Sequence, residues 1–433
     1  MRILGIETSC DETAAAVVEV TRGQFSVLSN VVASQIKIHA KTGGVVPEVA
    51  ARAHVEKIIP VIERALKEAK SGVAKSYAAP PLPPTLMPFG VVAPNTRRAG
   101  AHDFAMGNGA GIDAIAVTAG PGLMTSLLVG VEVARTLSAL WKKPLIAVNH
   151  LAGHVYANWL NANGHEYRGE WSRIKFPLLA LIVSGGHTEL VLMKKHMDFK
   201  IIGSTRDDAA GEAFDKVAKM LGLPYPGGPA VSAMAEKFFK SRHLERPEGV
   251  ERPHTVHGDE ISPLASGLGR NDGVVQFPRP MINSSDFDFS FSGLKTAVLY
   301  YLKNLDAQNH VRPHMILYKQ KMQEICYEFQ EAAVDVLVSK TIRAAKQYKV
   351  KTVLLGGGVA ANKRLREQLG TAVKSELPTT SYVLPSLQYT GDNAAMIAAA
   401  GYFMARKKQF TFWHKLEVDP NWELGQKFNP LPR

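Results

Sequence analysis

The stretch RILGIETSCDETAAAVVEV (residues 2–20) decides how this chain is read. Arg2 to Glu7 has the pattern of a strand, Thr8 to Thr13 that of a polar turn, and Ala14 to Val20 that of a second, apolar strand. Strand, polar turn and strand make a hairpin whose loop can offer backbone N–H groups, hydroxyls and the carboxylates of Asp11 and Glu12 to one point. An ordinary solvated turn would carry the same acids. The pattern returns at PLLALIVSGGHTELVLM (residues 177–193), where Ser184-Gly185-Gly186-His187 is the turn. Two such units opening two halves of one chain point to a duplicated lobe.

At 433 residues the chain is too long for one compact core, so two α/β lobes are expected. The lobes are drawn at 1–149 and 150–405, with a tail over 406–433. The formal net charge of +12 fits a polyanion such as RNA or DNA, although many basic proteins bind no nucleic acid. Cys10 and Cys326 are the two cysteines, too few for a disulfide framework, which suits a reducing compartment. No uncharged apolar run reaches the roughly 18 residues of a membrane span. Nor does the start of the chain resemble a signal or transit peptide. A cytoplasmic protein is expected.

Outward from the hairpins, Pro47 to Lys70 has helical periodicity, with Pro60 expected to kink or split it. Residues 73–111 hold six prolines between Pro80 and Pro94 and then Arg97-Arg98. They read as a surface insertion whose arginines could touch phosphate or simply face water. Residues 241–276 read as a second insertion, with His254 and His257 a weak metal pair. Ile112 to Thr118 is a strand, Ala119 to Gly122 a tight turn, and Leu123 to Trp141 a helix: α/β grammar. Met315 to Tyr348 is a long helical region with room for one break.

Four glycine sites, Gly120–Gly122, Gly185–Gly186, Gly227–Gly228 and Gly356–Gly358, allow close backbone approach to a nucleotide. None has the P-loop pattern, and none is a dinucleotide fingerprint. Asn149 to Asn158 places His150 and His154 one helical turn apart, on one face. That spacing suits two metal ligands, or an ordinary half-buried helix face. Asp392, at the start of a late alanine-rich helix, could be a third ligand or only a helix cap. Together the three would make a 2-His-1-carboxylate set. A zinc peptidase needs Glu after the first histidine, and Leu151 stands there. Arg364, Arg366 and Arg406 to Lys408 are candidates for a basic patch.

Nine segments, in order, carry a resemblance: GIETSCDETAAAVV (5–18), TAGPGL (118–123), NHLAGH (149–154), IVSGGHTEL (182–190), GEAFDKVAK (211–219), YPGGP (225–229), FSFSGLK (289–295), GGGVAAN (356–362) and TGDNAAMIA (390–398). The chain resembles the bacterial TsaD family of tRNA N6-adenosine threonylcarbamoyltransferases. The resemblance implies an ASKHA (actin/Hsp70/sugar kinase-like) fold, two duplicated lobes around a nucleotide cleft. It implies transfer of threonylcarbamoyl from threonylcarbamoyl-AMP to N6 of adenosine 37 in tRNAs reading ANN codons. His150, His154 and Asp392 match the family's metal ligands. The ion would be Fe(2+), with Zn(2+) or Mg(2+) the alternatives. Ile182, Val183, Ser184, Gly185, Gly186, Asp215, Gly228 and Asn362 match substrate-binding positions, and Asp11 and Glu12 the catalytic acidic pair. Expected partners are tRNA and TsaB-like and TsaE-like proteins, with no membrane. Competing classes are an ASKHA-type ATPase or acyl phosphotransferase, a metallopeptidase and a nucleotide-dependent scaffold.

Overall fold

The computed structural model describes residues 1–71, 109, 111–160, 174–244, 275–308 and 315–428. Arg97, Arg98, His254, His257 and most of both expected insertions lie outside these residues. In chain order the strands are β1 (Arg2–Glu7), β2 (Glu12–Thr21), β3 (Gln24–Ser34), β4 (Ala114–Gly120), β5 (Leu145–Asn149), β6 (Leu178–Val183), β7 (Thr188–Met193), β8 (Phe199–Ser204), β9 (Thr352–Gly356) and β10 (Ser381–Val383). The helices are α1 (Ile36–His39), α2 (Pro47–Ser71), α3 (Met124–Trp141), α4 (His150–Tyr156), α5 (Ala210–Met220), α6 (Gly227–Leu244), α7 (Ser292–Gln308), α8 (Met315–Gln347), α9 (Lys363–Glu376) and α10 (Ala394–Arg406).

Both sequence hairpins form, β1 against β2 and β6 against β7, each antiparallel. One sheet has the order β3-β2-β1-β4-β5 and the other β10-β9-β6-β7-β8. Read from opposite edges, the orders are the same. In each, the first hairpin strand also pairs in parallel with the strand that follows the helical crossover, β1 with β4 and β6 with β9. This repeat is the duplicated ASKHA topology.

The chain divides into two compact units. Unit 1 is Met1–Arg173, Lys195–Lys200 and Leu384–Arg433; unit 2 is Ile174–Lys194 and Ile201–Val383. The lobes drawn from sequence differ: residues 150–160 and 384–405 pack with unit 1. The reason is α10. Its run from Ala394 to Ala400 is fully buried, and alanines let a helix lie close to a sheet. A Cβ on Gly5 of β1 would collide with the carbonyl oxygen of Ala394. The chain's last long helix therefore rests on its first strand.

Helix α2 runs unbroken through Pro60. Ile58, Val61 and Ile62 around the proline are buried in the unit 1 core, and each such apolar side chain contributes about 1.5–3 kcal/mol. That is enough to offset the roughly 3 kcal/mol that an interior proline costs. Helix α8 is likewise continuous over 33 residues. Among the described residues no helix is long and apolar enough to cross a membrane.

Candidate metal centre and nucleotide loops

Helix α4 starts where β5 stops because Asn149 caps it. Asn149 Oδ1 accepts from the N–H groups of Leu151 and Ala152, and its Nδ2 donates to Trp422 O at 2.8 Å. His150 is the first helical residue and His154 follows one turn later, their ring centroids 4.7 Å apart. Between them Gly153 leaves room for α10. A Cβ there would lie 2.7 Å from Ile397 Cδ1 and 3.1 Å from Met396 Cγ.

Helix α10 thereby carries Asp392 to the histidines. Asp392 is not the helix cap: Asn393 caps, accepting from Met396 N–H. Asp392 Oδ1 instead lies 3.4 Å from His150 Nε2 and 3.2 Å from His154 Nε2. Ligands about 2.1 Å from one ion, at angles of roughly 90–110°, are about 3.0–3.4 Å apart. His154 is fully buried, yet neither ring nitrogen has an aligned hydrogen-bond partner. Such an orphan normally costs about 1–3 kcal/mol. A shared cation would engage Nε2, so the three residues fit a single metal site.

A residue that the sequence reading passed over completes the centre. Glu7, at the end of β1, is fully buried. Its Oε2 is 3.1 Å from His150 Nδ1 and accepts from Thr118 Oγ1 at 2.5 Å; its Oε1 accepts from Ser9 N–H. Burial alone would raise the Glu7 proton affinity, but His150 holds it below the ordinary carboxylate range. An ionised Glu7 only accepts, so Nδ1 of His150 carries the proton and Nε2 is the nitrogen turned to Asp392. Carboxylate, imidazole and metal in series is the usual way a ligand histidine is oriented.

The charges divide the two histidines. Burial works against a proton on His150, yet Asp392 and Glu7 hold its proton affinity well above the ordinary value. Burial leaves His154 below it. Asp392 is held low by both histidines against its own burial. An ion would take the place of the His150 Nε2 proton.

Asp11 lies in the β1–β2 turn and Glu12 is the first residue of β2, both half-buried. Asp11 O accepts from Gln35 N–H, and Glu12 Oε1 accepts from Ser34 Oγ at 3.0 Å. Burial, then the Asp11 carboxyl and Asp392, push Glu12 well above its ordinary value. The neighbouring Cys10 thiol is raised by burial and the same acids, so it stays protonated.

In unit 2, Ile182 and Val183 are buried at the end of β6, and Gly185 and Gly186 turn with open space on their Cβ side. Asp215 on α5 accepts through Oδ1 from Gly227 N–H at 2.7 Å. Gly228, at the start of α6, faces open space, as does Gly358 after β9. Asn362 caps α9 through Leu365 N–H and donates to Ser232 Oγ and Gln330 Oε1, both at 3.0 Å. Its side chain holds the helix start in place.

The expected basic patch divides. Arg364 is half-buried and forked onto Glu331, with two bonds of 2.7 Å; Arg366 bonds the Ala360 carbonyl. The Glu331 carboxylate meets the charge of Arg364, and Arg366 is half-buried. Arg406, Lys407 and Lys408 are exposed.

Over residues 26–76, 107–266 and 250–399 the chain matches the TsaD family, tRNA N6-adenosine threonylcarbamoyltransferase. The chain belongs to the TsaD family. It is 45% identical over 399 residues to the tRNA N6-adenosine threonylcarbamoyltransferase of Listeria monocytogenes serotype 4b (strain CLIP80459), covering 92% of this chain and 90% of that one. It is 46% identical over 404 residues to the enzyme of the same name from Geobacillus kaustophilus (strain HTA426), with the same coverage. Among solved structures, HypF of T. kodakarensis aligns over 93% of this chain and 47% of its own, at 11% identity and a TM-score of 0.48. As a TsaD protein the chain is a transferase of tRNA modification.

Proposed function

We propose that this TsaD chain transfers threonylcarbamoyl from threonylcarbamoyl-AMP to N6 of adenosine 37 in tRNAs reading ANN codons. The supporting observation is the triad of His150, His154 and Asp392 with Glu7 bonded behind it. The triad would hold one divalent ion, Fe(2+) ahead of Zn(2+) or Mg(2+), since two imidazoles and one carboxylate suit the first two best. When bound, the ion would supply Lewis-acid charge against the phosphate and carbamoyl oxygens.

The donor is a mixed anhydride and already activated, so positioning and charge stabilisation are the main tasks left to the protein. Ile182 to Gly186, Asp215, Gly228 and Asn362 are assigned to the nucleotide. Asp215, fixed by Gly227 N–H, would accept from the ribose hydroxyls. Gly228 offers unobstructed main chain, and Asn362 secures the turn that follows β9. The acceptor amine is weak, because its lone pair is delocalised into the purine. Asp11 or Glu12 would take its proton. TsaB-like and TsaE-like proteins would be its partners, and its location would be cytoplasmic.

The test supplies threonylcarbamoyl-AMP and unmodified tRNA, with and without those partners, and weighs the nucleosides of the digested tRNA. The expected result is adenosine heavier by one threonylcarbamoyl group. No modified adenosine under either condition overturns the reading, and a His150→Ala protein fully active without bound metal overturns the metal role.

A further inference from the structure

Between Asp392 and Glu417 the sequence contains no acid, whereas Arg406, Lys407, Lys408 and Lys415 all lie there. After α10 this run crosses unit 1 as a strip. Residues 406–410 and 412–415 are exposed, and only Thr411 between them is half-buried. The strip is nonetheless fastened. Thr411 N–H donates to Leu145 O at 2.8 Å in a bridge to β5. Arg135 Nε donates to Trp413 O at 2.8 Å, and Lys407 Nζ to His196 O at 2.7 Å. Leu416 then enters the core.

On this fastened backbone the two-residue period puts Phe410 and Phe412 on one side, opposite Thr411. They are 44% and 69% exposed, and Trp413 is 46% exposed. With Lys143, Pro144 and Leu145 the three rings line a pocket of about 210 Å³. Lys415 Nζ sits 5.7 Å from the Phe412 ring centre. Contiguous exposed rings mark an interaction site. Rings interleaved with cations, in a run without acids, match unpaired nucleotides: bases stack on the rings and phosphates meet the cations.

We propose that residues 406–415, together with Lys143, form a surface for unpaired nucleotides of the RNA substrate. This rests on the reading that tRNA is the substrate. Strand β5 begins at the strip and ends at His150, a separation on the order of 15 Å.

The experiment follows fluorescence anisotropy of a labelled oligouridine of about 12 nucleotides, and of an RNA duplex of equal length, with the full chain across a salt series. Oligouridine has no acceptor adenosine, so the outcome is independent of the transfer reaction. Product nucleoside on tRNA is measured separately. The single strand should bind more tightly than the duplex. Phe412→Ala should weaken it by about 5-fold to 100-fold with little change in salt slope. Lys408→Ala should weaken it less and lower the slope by about 0.7. Phe412→Tyr, which keeps a stacking face, should bind like the wild type. Equal binding by Phe412→Ala, no preference for the single strand, or no binding at all overturns the proposal. So does a Phe412→Ala protein that loses a protein partner while keeping its RNA affinity.

Discussion

The ends of β1 and β6 occupy the same place in two copies of one topology, and they hold opposite chemistry. Each is the last residue of a hairpin's first strand, Glu7 paired with Ala14 and Val183 with Thr188. The parallel neighbours correspond as well: Ile6 pairs with Val117, and Ile182 with Gly356. One step further, Thr118 in unit 1 matches Gly357 in unit 2. Unit 1 thus buries a carboxylate and a hydroxyl where unit 2 has a valine and a glycine. Unit 1 uses the position to orient His150. Unit 2 uses it to bring main chain against main chain, since a Cβ on Gly357 would collide with Val183 O. Duplication supplied two equal frames; one became a polar centre and the other an open backbone cradle.

The largest way to break the contrast is to remove a proposed ligand from unit 1. His154→Ala should bind no ion by metal analysis and lose transfer activity on the order of 10³-fold. An unaltered metal content would refute the assignment. The corresponding blow to unit 2 is Gly357→Ala. Its φ of +86° and the close Val183 carbonyl should cost roughly 2–4 kcal/mol, read from chemical denaturation, while metal affinity stays intact. Equal stability would show that the turn relaxes. A milder change is Glu7→Gln, which keeps shape and removes charge. Metal affinity from chelator competition should fall about 10- to 100-fold; no change would deny Glu7 its orienting role.

The smallest effect concerns pH in unit 1 away from the metal. His196 stacks on Phe403, with ring centres 4.0 Å apart, and burial and then Lys407 push its proton affinity down to about 4. Unfolded, the group titrates near 6.5. The folded value is depressed, so its contribution is complete above pH 6.5 and is lost as pH falls towards 4. Half-exposed, it should contribute about 1 kcal/mol. His196→Phe should flatten that part of the denaturation-versus-pH curve, and an unchanged curve would assign the slope to other groups.

Much of this was legible because strands, turns and helices leave short-range marks. Both hairpins, the strand–glycine turn–helix units and the His150/His154 spacing are local patterns. What escaped depends on register. Glu7 looks like a polar residue ending a strand; only pairing with β4, and the helix after β5, set it beside Thr118 and His150. Asp392 and Asn393 are equally good caps on paper, and the choice is made by how α10 lies against Gly153. Arg364 looked like a surface charge because Glu331, which binds it, is a full helix away. Pro60 does not split its helix, because interior packing outweighs a local preference.

The resting place of α10 on β1 also sets an order of birth. Residues 174–383 leave the ribosome before α10 does, so unit 2 has all of its chain while unit 1 still lacks the helix that covers its central strand. At about 5–20 residues per second, synthesis of the chain takes roughly 20–90 s. For most of that time Gly5 and the buried face of β1 wait without their cover, and Asp392 cannot meet the histidines. The candidate metal centre is therefore a device that cannot assemble until α10 has been made.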